Sequence, residues 1–461
     1  MEEYMQALPV ERLPKSLKDA IFLTRALGIQ YIWIDSLCII QDCDEDKDRE
    51  MTRMAKIYKD AVFTISAARA RSCDEGFLGV QEQRVSLLQD SIKLPMNCLN
   101  GAIGTVLFYP SRQLSRHKNR RVPIDRRAWT YQEQLLSCRV VSFFNDSIEW
   151  SCPSWIMCDD GLDNEELGVT DPLYLRSTTP ILERTGYLSP ILYRPPEDRQ
   201  KYPEYLARLH KDWWVAVFEY TMGNLTNLND RLLAIAGIAS EFHDITGDVY
   251  VAGLWMSDLI RDLQWEVLAR SDESSNNRDF KYYAPTWTWA SAHERLIRGP
   301  QKEYDFDSDR VEVIDCKVDL VSPFAPFGCV HSGELKIRAP LKFLSDREAE
   351  EMLMPGGRFT GWIKRDWRSK HHTDELSALR GGTASHIEPT GVWCLGLSKS
   401  THLTYESSGL ALEKRADGLF ERIGIFQIHK VDTWVGVRTA EQDELWASWG
   451  DDYVVTTVTI V

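Results

Sequence analysis

Four residues near the start of the chain have types and spacing suited to chemistry on a bound ligand. Asp35, Ser36 and Cys38 close an apolar run within Tyr31-Ile-Trp-Ile-Asp-Ser-Leu-Cys-Ile-Ile-Gln41. Open α/β sheets bind ligands beyond the carboxyl ends of their strands. If residues 31–34 form such a strand, an acceptor, a hydroxyl and a thiol stand at its mouth. The plainer reading is that Asp35 caps a turn and Cys38 is buried packing, since a buried thiol is usually inert. Glu50 is the fourth. On a helix over 46–60, Met51, Met54, Ile57, Tyr58 and Ala61 share one arc, and Glu50 falls inside it. A carboxylate at the head of an apolar stripe is costly to bury without a partner. Paired with Asp35 near a cleft, it suits acid/base or glycosyl-transfer chemistry. The plainer reading is a half-exposed first turn in which Glu50 pairs with a nearby Arg. Arg127 ends the one dense basic stretch (Arg112, Arg116, His117, Lys118, Arg120, Arg121, Arg126, Arg127). That stretch could hold a phosphate-bearing ligand, although charge runs usually face water.

These side chains need elements to hold them. A stripe of Leu13, Leu17, Ala20, Ile21, Thr24 and Leu27, with Pro14 in the first turn and Gly28 at the C-terminal cap, predicts a helix over 13–27. The unbroken apolar run 31–34 predicts a strand covered on both faces, as in a parallel sheet. The acidic stretch 42–50 suits the start of a helix running to about 60. Residues 62–66 read as a second strand, and helix, strand, helix, strand is α/β grammar. Further expectations are a strand at 104–109, a helix at 126–137, and a hairpin of 140–144 with 148–152 around Asn145 and Asp146. Residues 159–200 read as an acidic, Pro-rich linker. Helices are expected at 202–222, 229–243 and 253–269, with a loop at 271–278. Short β-type segments follow at 311–318, 334–339, 357–363, 391–397, 420–429 and 453–460. The expected organisation is an α/β domain over 1–137, a mixed hairpin, linker and helical region over 138–302, and a β-rich region over 303–461, α+β overall.

Composition excludes several classes. The 461 residues carry a formal net charge of −15, which opposes binding to a phosphate backbone, so no specific nucleic acid is expected. Trp is ordinarily the scarcest aromatic, yet 16 Trp stand beside 16 Phe and 17 Tyr. That many large rings argue for packed globular units over a disordered adaptor. No stretch approaches the length of a membrane-spanning helix, and the N-terminus lacks the charge and apolar core of a secretory signal. Ten scattered Cys fit reduced thiols, hence a cytoplasmic protein. The sequence Asp42-x-Asp44-x-Asp46 opens like a calcium loop, but Lys47 and Arg53 occupy the positions where the loop needs Gly and Glu. No zinc, P-loop, dinucleotide or serine-hydrolase motif is present, and no metal site is expected.

Four blocks carry a family resemblance. Leu13-Pro14-Lys-Ser-Leu-Lys-Asp19-Ala20, the run 31–41, Glu50-Met-Thr-Arg-Met54-Ala-Lys-Ile57-Tyr58-Lys-Asp-Ala61 and Arg127-Ala-Trp-Thr-Tyr-Gln-Glu133 resemble, in order and spacing, the fungal heterokaryon-incompatibility (HET) domain over about residues 8–134. Softer motifs, Asp230-Arg-Leu-Leu-Ala-Ile-Ala-Gly237, Tyr250-Val-Ala-Gly-Leu-Trp255, Leu263-Gln-Trp265 and Ala284-Pro-Thr-Trp-Thr-Trp-Ala-Ser291, resemble the region that often follows it. The resemblance implies fungal non-self recognition and programmed cell death, and a distant likeness to TIR domains with a flavodoxin-like parallel sheet. Some TIR domains cleave NAD⁺ with a Glu on a helix after a central strand, which would make NAD the substrate and Glu50 the catalytic carboxylate. Asp35, Ser36, Cys38 and Arg127 would then bind the ligand, and Trp33, Tyr58, Trp129, Gln132 and Glu133 would be structural motif residues. The usual opening block of the family, resembling Tyr-x-x-Leu-Ser-Tyr-x-Trp-Gly, is missing before Leu13, so the sheet is expected to lack its first strand. Two other readings stay open: a non-enzymatic module that assembles with itself or another protein, and a truncated inactive member.

Overall fold

The computed structural model describes residues 8–79, 92–97, 103–108, 122–145, 147–152, 155–159, 165–166, 203–268, 282–292, 297–299, 310–345, 360–365, 391–398, 405–429 and 454–461. The basic stretch up to residue 121, nearly all of the expected linker and the 271–278 loop lie outside them. The chain divides into two compact units: Met1–Pro203 with Gly223–Leu225, and Glu204–Met222 with Thr226–Val461.

In the first unit, helix α1 (Lys15–Ala26) buries Ile21 and Thr24. It ends where Gly28 turns left-handed at φ 70°, a conformation that costs a side-chain-bearing residue. Asp19 of α1 accepts the amides of Phe77 (2.7 Å) and Leu78 (3.1 Å), fixing the loop that follows residues 64–66. The expected strand at 31–34 is not formed. Its backbone is extended at Ile34 (φ −135°, ψ 122°), but no described strand forms a ladder with it, and Tyr31 is 86% exposed. Extended residues become a strand only when a neighbour takes up their backbone groups. A one-turn helix, α2 (Asp35–Cys38), follows directly. Helix α3 (Asp44–Asp60) bears out the second expected helix.

Strand β1 (Thr64–Ser66) leads by way of a two-stranded ribbon, β2 (Ile92–Asn97) with β3 (Ile103–Phe108), to helix α4 (Ala128–Leu136). Strands β4 (Val140–Phe143) and β5 (Ile148–Ser151) form the expected hairpin, continued by β6 (Trp155–Cys158) and β7 (Glu165–Glu166) in the order β1-β4-β5-β6-β7. Among the described residues only β1–β4 is parallel in this sheet. The fully parallel sheet expected from the α/β grammar is thus replaced by a mixed one. The physical reason is the short connections after β4, which permit only antiparallel returns.

In the second unit, helices α5 (Pro203–Thr221) and α6 (Ala236–Thr246) precede a tight hairpin of β8 (Tyr250–Val251) and β9 (Leu254–Trp255). The helix expected at 253–269 is broken into β9, a 3-10 turn, the one-turn helix α7 (Leu259–Asp262) and strand β10 (Glu266–Val267), which pairs with β11 (Ile297–Arg298). Tertiary bonds override the helical pattern there. Asp262 accepts from the Trp214 indole (2.7 Å) and the Trp255 amide (3.2 Å), and Gly253 sits at φ 101°. The Gly253 carbonyl accepts both Trp213 Nε1 (3.1 Å) and Trp289 Nε1 (2.8 Å), which draws a tryptophan core around the hairpin.

The β-type segments after 303 form one sheet of β12 (Glu312–Leu320), β13 (Val330–Ser345), β14 (Thr360–Arg365), β15 (Gly391–Ser398), β16 (Tyr405–Lys414), β17 (Phe420–His429) and β18 (Val454–Ile460). Pairing runs β13–β15–β16–β17 and returns through β18 to β13, so the ladder closes on itself. Strand β13 alternates exposed Glu334, Lys336 and Arg338 with buried Leu335, Ile337 and Ala339, the two-residue period of a half-buried strand. Pro340, lacking an N–H, falls where the partner on one side changes from β12 to β15. Strand β16 lies outside the segments expected from the sequence, because its small residues Ser407, Ser408, Gly409 and Ala411 weaken the pattern. With helices and mixed sheets the chain is α+β.

Candidate functional site

The first unit brings four polar side chains together: Asp35, Tyr58, Arg127 and Glu133. The positioning begins with the buried Asp46 near the start of α3. Its carboxylate accepts the Ile40 amide (2.8 Å) and pairs with Arg49, which ties the 35–41 turn to the helix. Asp35 in turn accepts the Ser36 amide at 2.7 Å. Further along α3, Tyr58 meets the Trp33 ring edge-on, with centroids 5.7 Å apart and planes at 75°. Helix α4 contributes Glu133. This helix buries Ala128, Thr130, Gln132, Leu135 and Leu136, so its carboxylate lies against a packed face.

The Tyr58 hydroxyl donates to the Glu133 carboxylate. Removal from water pushes the Glu133 carboxyl up to about 7, and the negative charge of Asp35 adds to this; Arg127 and the Tyr58 hydrogen bond pull it back. Burial, followed by the charges of Glu133 and Asp35, holds the Tyr58 hydroxyl far above its ordinary value, so it stays a donor. A carboxyl titrating near neutrality can both take and give a proton at physiological pH. A guanidinium beside it suits an anionic group, and the Trp33–Tyr58 pair offers aromatic surface to a flat ring.

The other expected site residues fall elsewhere. Glu50 is held between Arg49 (3.6 Å) and Arg53 (3.2 Å), matching its plainer reading. Ser36 and Cys38 are exposed and take no part in the cluster, so Cys38 is not core packing either. Gln132 is buried in α4 and Trp129 is half-buried. Among the described residues no group of three His, Cys, Asp or Glu is placed to hold a metal ion. Among the same residues no helix is long and apolar enough to cross a membrane. Sequence reasoning took Glu133 for a framework residue. The signal it passed over was the one applied to Glu50, a carboxylate flanked by buried positions.

This is a unit of mixed α/β structure whose motif blocks converge on one aromatic, guanidinium and carboxylate cluster. Residues 2–133 match the family described as Heterokaryon incompatibility protein (HET). The match covers this segment of the 461-residue chain. No curated protein and no solved structure matches the chain.

Proposed function

We propose that the HET domain hydrolyses NAD⁺, with Glu133 as the working carboxylate, and that the protein is a cytoplasmic effector of fungal non-self recognition and programmed cell death. The distant TIR likeness belongs to the same reading. The observation that supports it is the Glu133 carboxyl, pushed up to about 7 between Tyr58 and Arg127. In the reaction the bond from the ribose C1′ to the nicotinamide nitrogen breaks, and nicotinamide leaves with the bonding pair. Water adds to the oxocarbenium-like carbon, and its proton passes to ionised Glu133 and then to solvent. Arg127 suits the diphosphate, and the Trp33–Tyr58 surface suits a flat base. Nicotinamide release therefore rises with pH through about 7, as Glu133 ionises.

The test is nicotinamide release by wild type, Glu133→Gln and Glu50→Gln. Glu133→Gln should lose at least about 100-fold, the ordinary scale of acid/base catalysis, while Glu50→Gln stays near wild type. Equal rates for wild type and Glu133→Gln would refute the assignment, and a selective loss in Glu50→Gln would return the role to that residue.

One observation favours the assembly reading. The extended backbone at 31–34 forms no ladder with any described strand, and Tyr31 is 86% exposed, as an edge open to a strand of another chain would be. If assembly runs through this edge, Tyr31→Lys lowers the oligomeric state seen by light scattering and abolishes killing, while Glu133→Gln leaves killing intact.

A further inference from the structure

Helix α4 carries Glu133, yet its own sequence does not cap it. The first amides of a helix have no partner within it. They are normally met by Ser, Thr, Asp or Asn at the preceding position. Here that position is Arg127, which makes no side-chain cap. The partner comes instead from almost 100 residues further along the chain. The Ala128 amide donates to the Asn224 carbonyl at 3.0 Å, and the Asn224 amide donates to the Arg126 carbonyl at 2.6 Å. Arg127 and Asn224 form an isolated parallel bridge. The approach is too close for a side chain: a Cβ on Gly223 would lie 2.6 Å from Ala128 Cα and 2.8 Å from its nitrogen. The Gly223–Leu225 segment folds with the first unit, although the chain on both sides of it belongs to the second.

We infer that Gly223–Leu225 is a positioning strap that holds Arg127 in place beside Glu133, so that the candidate site is completed from outside the matched HET segment. Two backbone bonds straddle Arg127, one on each neighbouring residue, and fix the direction in which its side chain leaves the chain. This inference rests on the proposed pairing of Arg127 with Glu133, but it does not require that the substrate be NAD⁺.

The experiment uses the full chain labelled with ¹³C at the glutamate carboxyls. The Glu133 signal is identified as the one lost in Glu133→Gln. Its titration is followed alongside hydrogen exchange at Ala128. Gly223→Val and Asn224→Pro each remove the strap by a different route, so failure of one variant to fold leaves the other. Asn224→Ala keeps both backbone bonds. Gly79→Ala is a control, because a Cβ there meets nothing within 4 Å. With the strap gone, Ala128 should exchange faster, and the Glu133 midpoint should move up on the order of one pH unit as the Arg127 charge moves away. Asn224→Ala and Gly79→Ala should match wild type. Faster exchange with an unmoved midpoint overturns the proposal, as does unchanged exchange in both strap variants. Nicotinamide release separates the two levels: a wild type that releases none, with the midpoint shift still present, sinks the NAD⁺ reading and supports the strap.

Discussion

Glu133 binds its proton more tightly in the folded chain than in the unfolded one, because its carboxyl is raised from 4.5 to about 7. Its contribution to stability is therefore fully present below about pH 4.5 and is lost as pH rises through about 7. A tenfold difference in proton affinity corresponds to about 1.4 kcal/mol, so the loss is up to about 3 kcal/mol. Asp262 in the second unit is also raised to about 7 by burial, against the pull of the Trp214 indole and the Trp255 amide. It acts in the same direction over nearly the same window. Denaturant midpoints measured from pH 4 to 8 should fall across that window in wild type, and Glu133→Gln should remove only the Glu133 share of the slope. A slope identical in wild type and Glu133→Gln would mean that the carboxyl is not raised. Of the site residues, Asp35, Tyr58, Arg127 and Glu133 are all legible in the sequence as motif members, but their roles are not. Glu50 draws attention because its neighbours on the helical arc are apolar, and periodicity cannot show that Arg49 and Arg53 flank the same carboxylate.

Periodicity served best for the elements that satisfy their own backbone. Helices α1, α3, α4 and α5 and the β4–β5 hairpin lie where the pattern puts them, since a helix or a tight hairpin closes its hydrogen bonds within a few residues. The strand at 31–34 failed for the converse reason, as it depends on a distant neighbour. The segment 253–269 failed because a single backbone carbonyl, that of Gly253, serves two indoles from far along the chain. That hairpin makes a sharp prediction. Gly253 stands at φ 101° and a Cβ there would meet Trp289 Nε1 at 2.7 Å. Gly253→Ala should therefore destabilise the second unit by about 2 kcal/mol or more, adding backbone strain to a displaced indole. Urea unfolding followed by tryptophan fluorescence would measure it, with a red-shifted native spectrum as Trp289 loses its acceptor.

At the scale of the whole molecule, the C-terminal ladder closes through a narrow contact. Strands β17 and β18 are joined by the single pair Phe420–Ile460, while Ile460 is fully buried and its strand pairs along its length with β13. Ile460→Ala should cost about 2–5 kcal/mol, the usual penalty for emptying an aliphatic core position. Thr459→Ala, on the same strand but half-buried, should cost much less; comparable urea midpoints for the two would show that closure does not depend on Ile460. The tryptophan excess is explained at this scale too. Trp213, Trp255, Trp265, Trp287 and Trp289 are fully buried in the second unit, whereas Trp33 faces Tyr58 in the first. The composition thus reports packed cores, and only one of these six rings stands at the candidate site.

The sequence by itself determined the HET blocks, the helices that position them, the β-rich end and the cast of candidate residues. These follow from local rules: turn chemistry, the 3.6- and 2-residue periods, and motif order. Tertiary structure decided which carboxylate is desolvated, which strand finds a partner, and what caps the helix carrying Glu133. A carboxyl's proton affinity depends on groups gathered from Asp35, Tyr58 and Arg127 at once, and the α4 cap comes from Asn224. Burial and long-range hydrogen bonding are properties of the packed chain, and no spacing along the sequence encodes them.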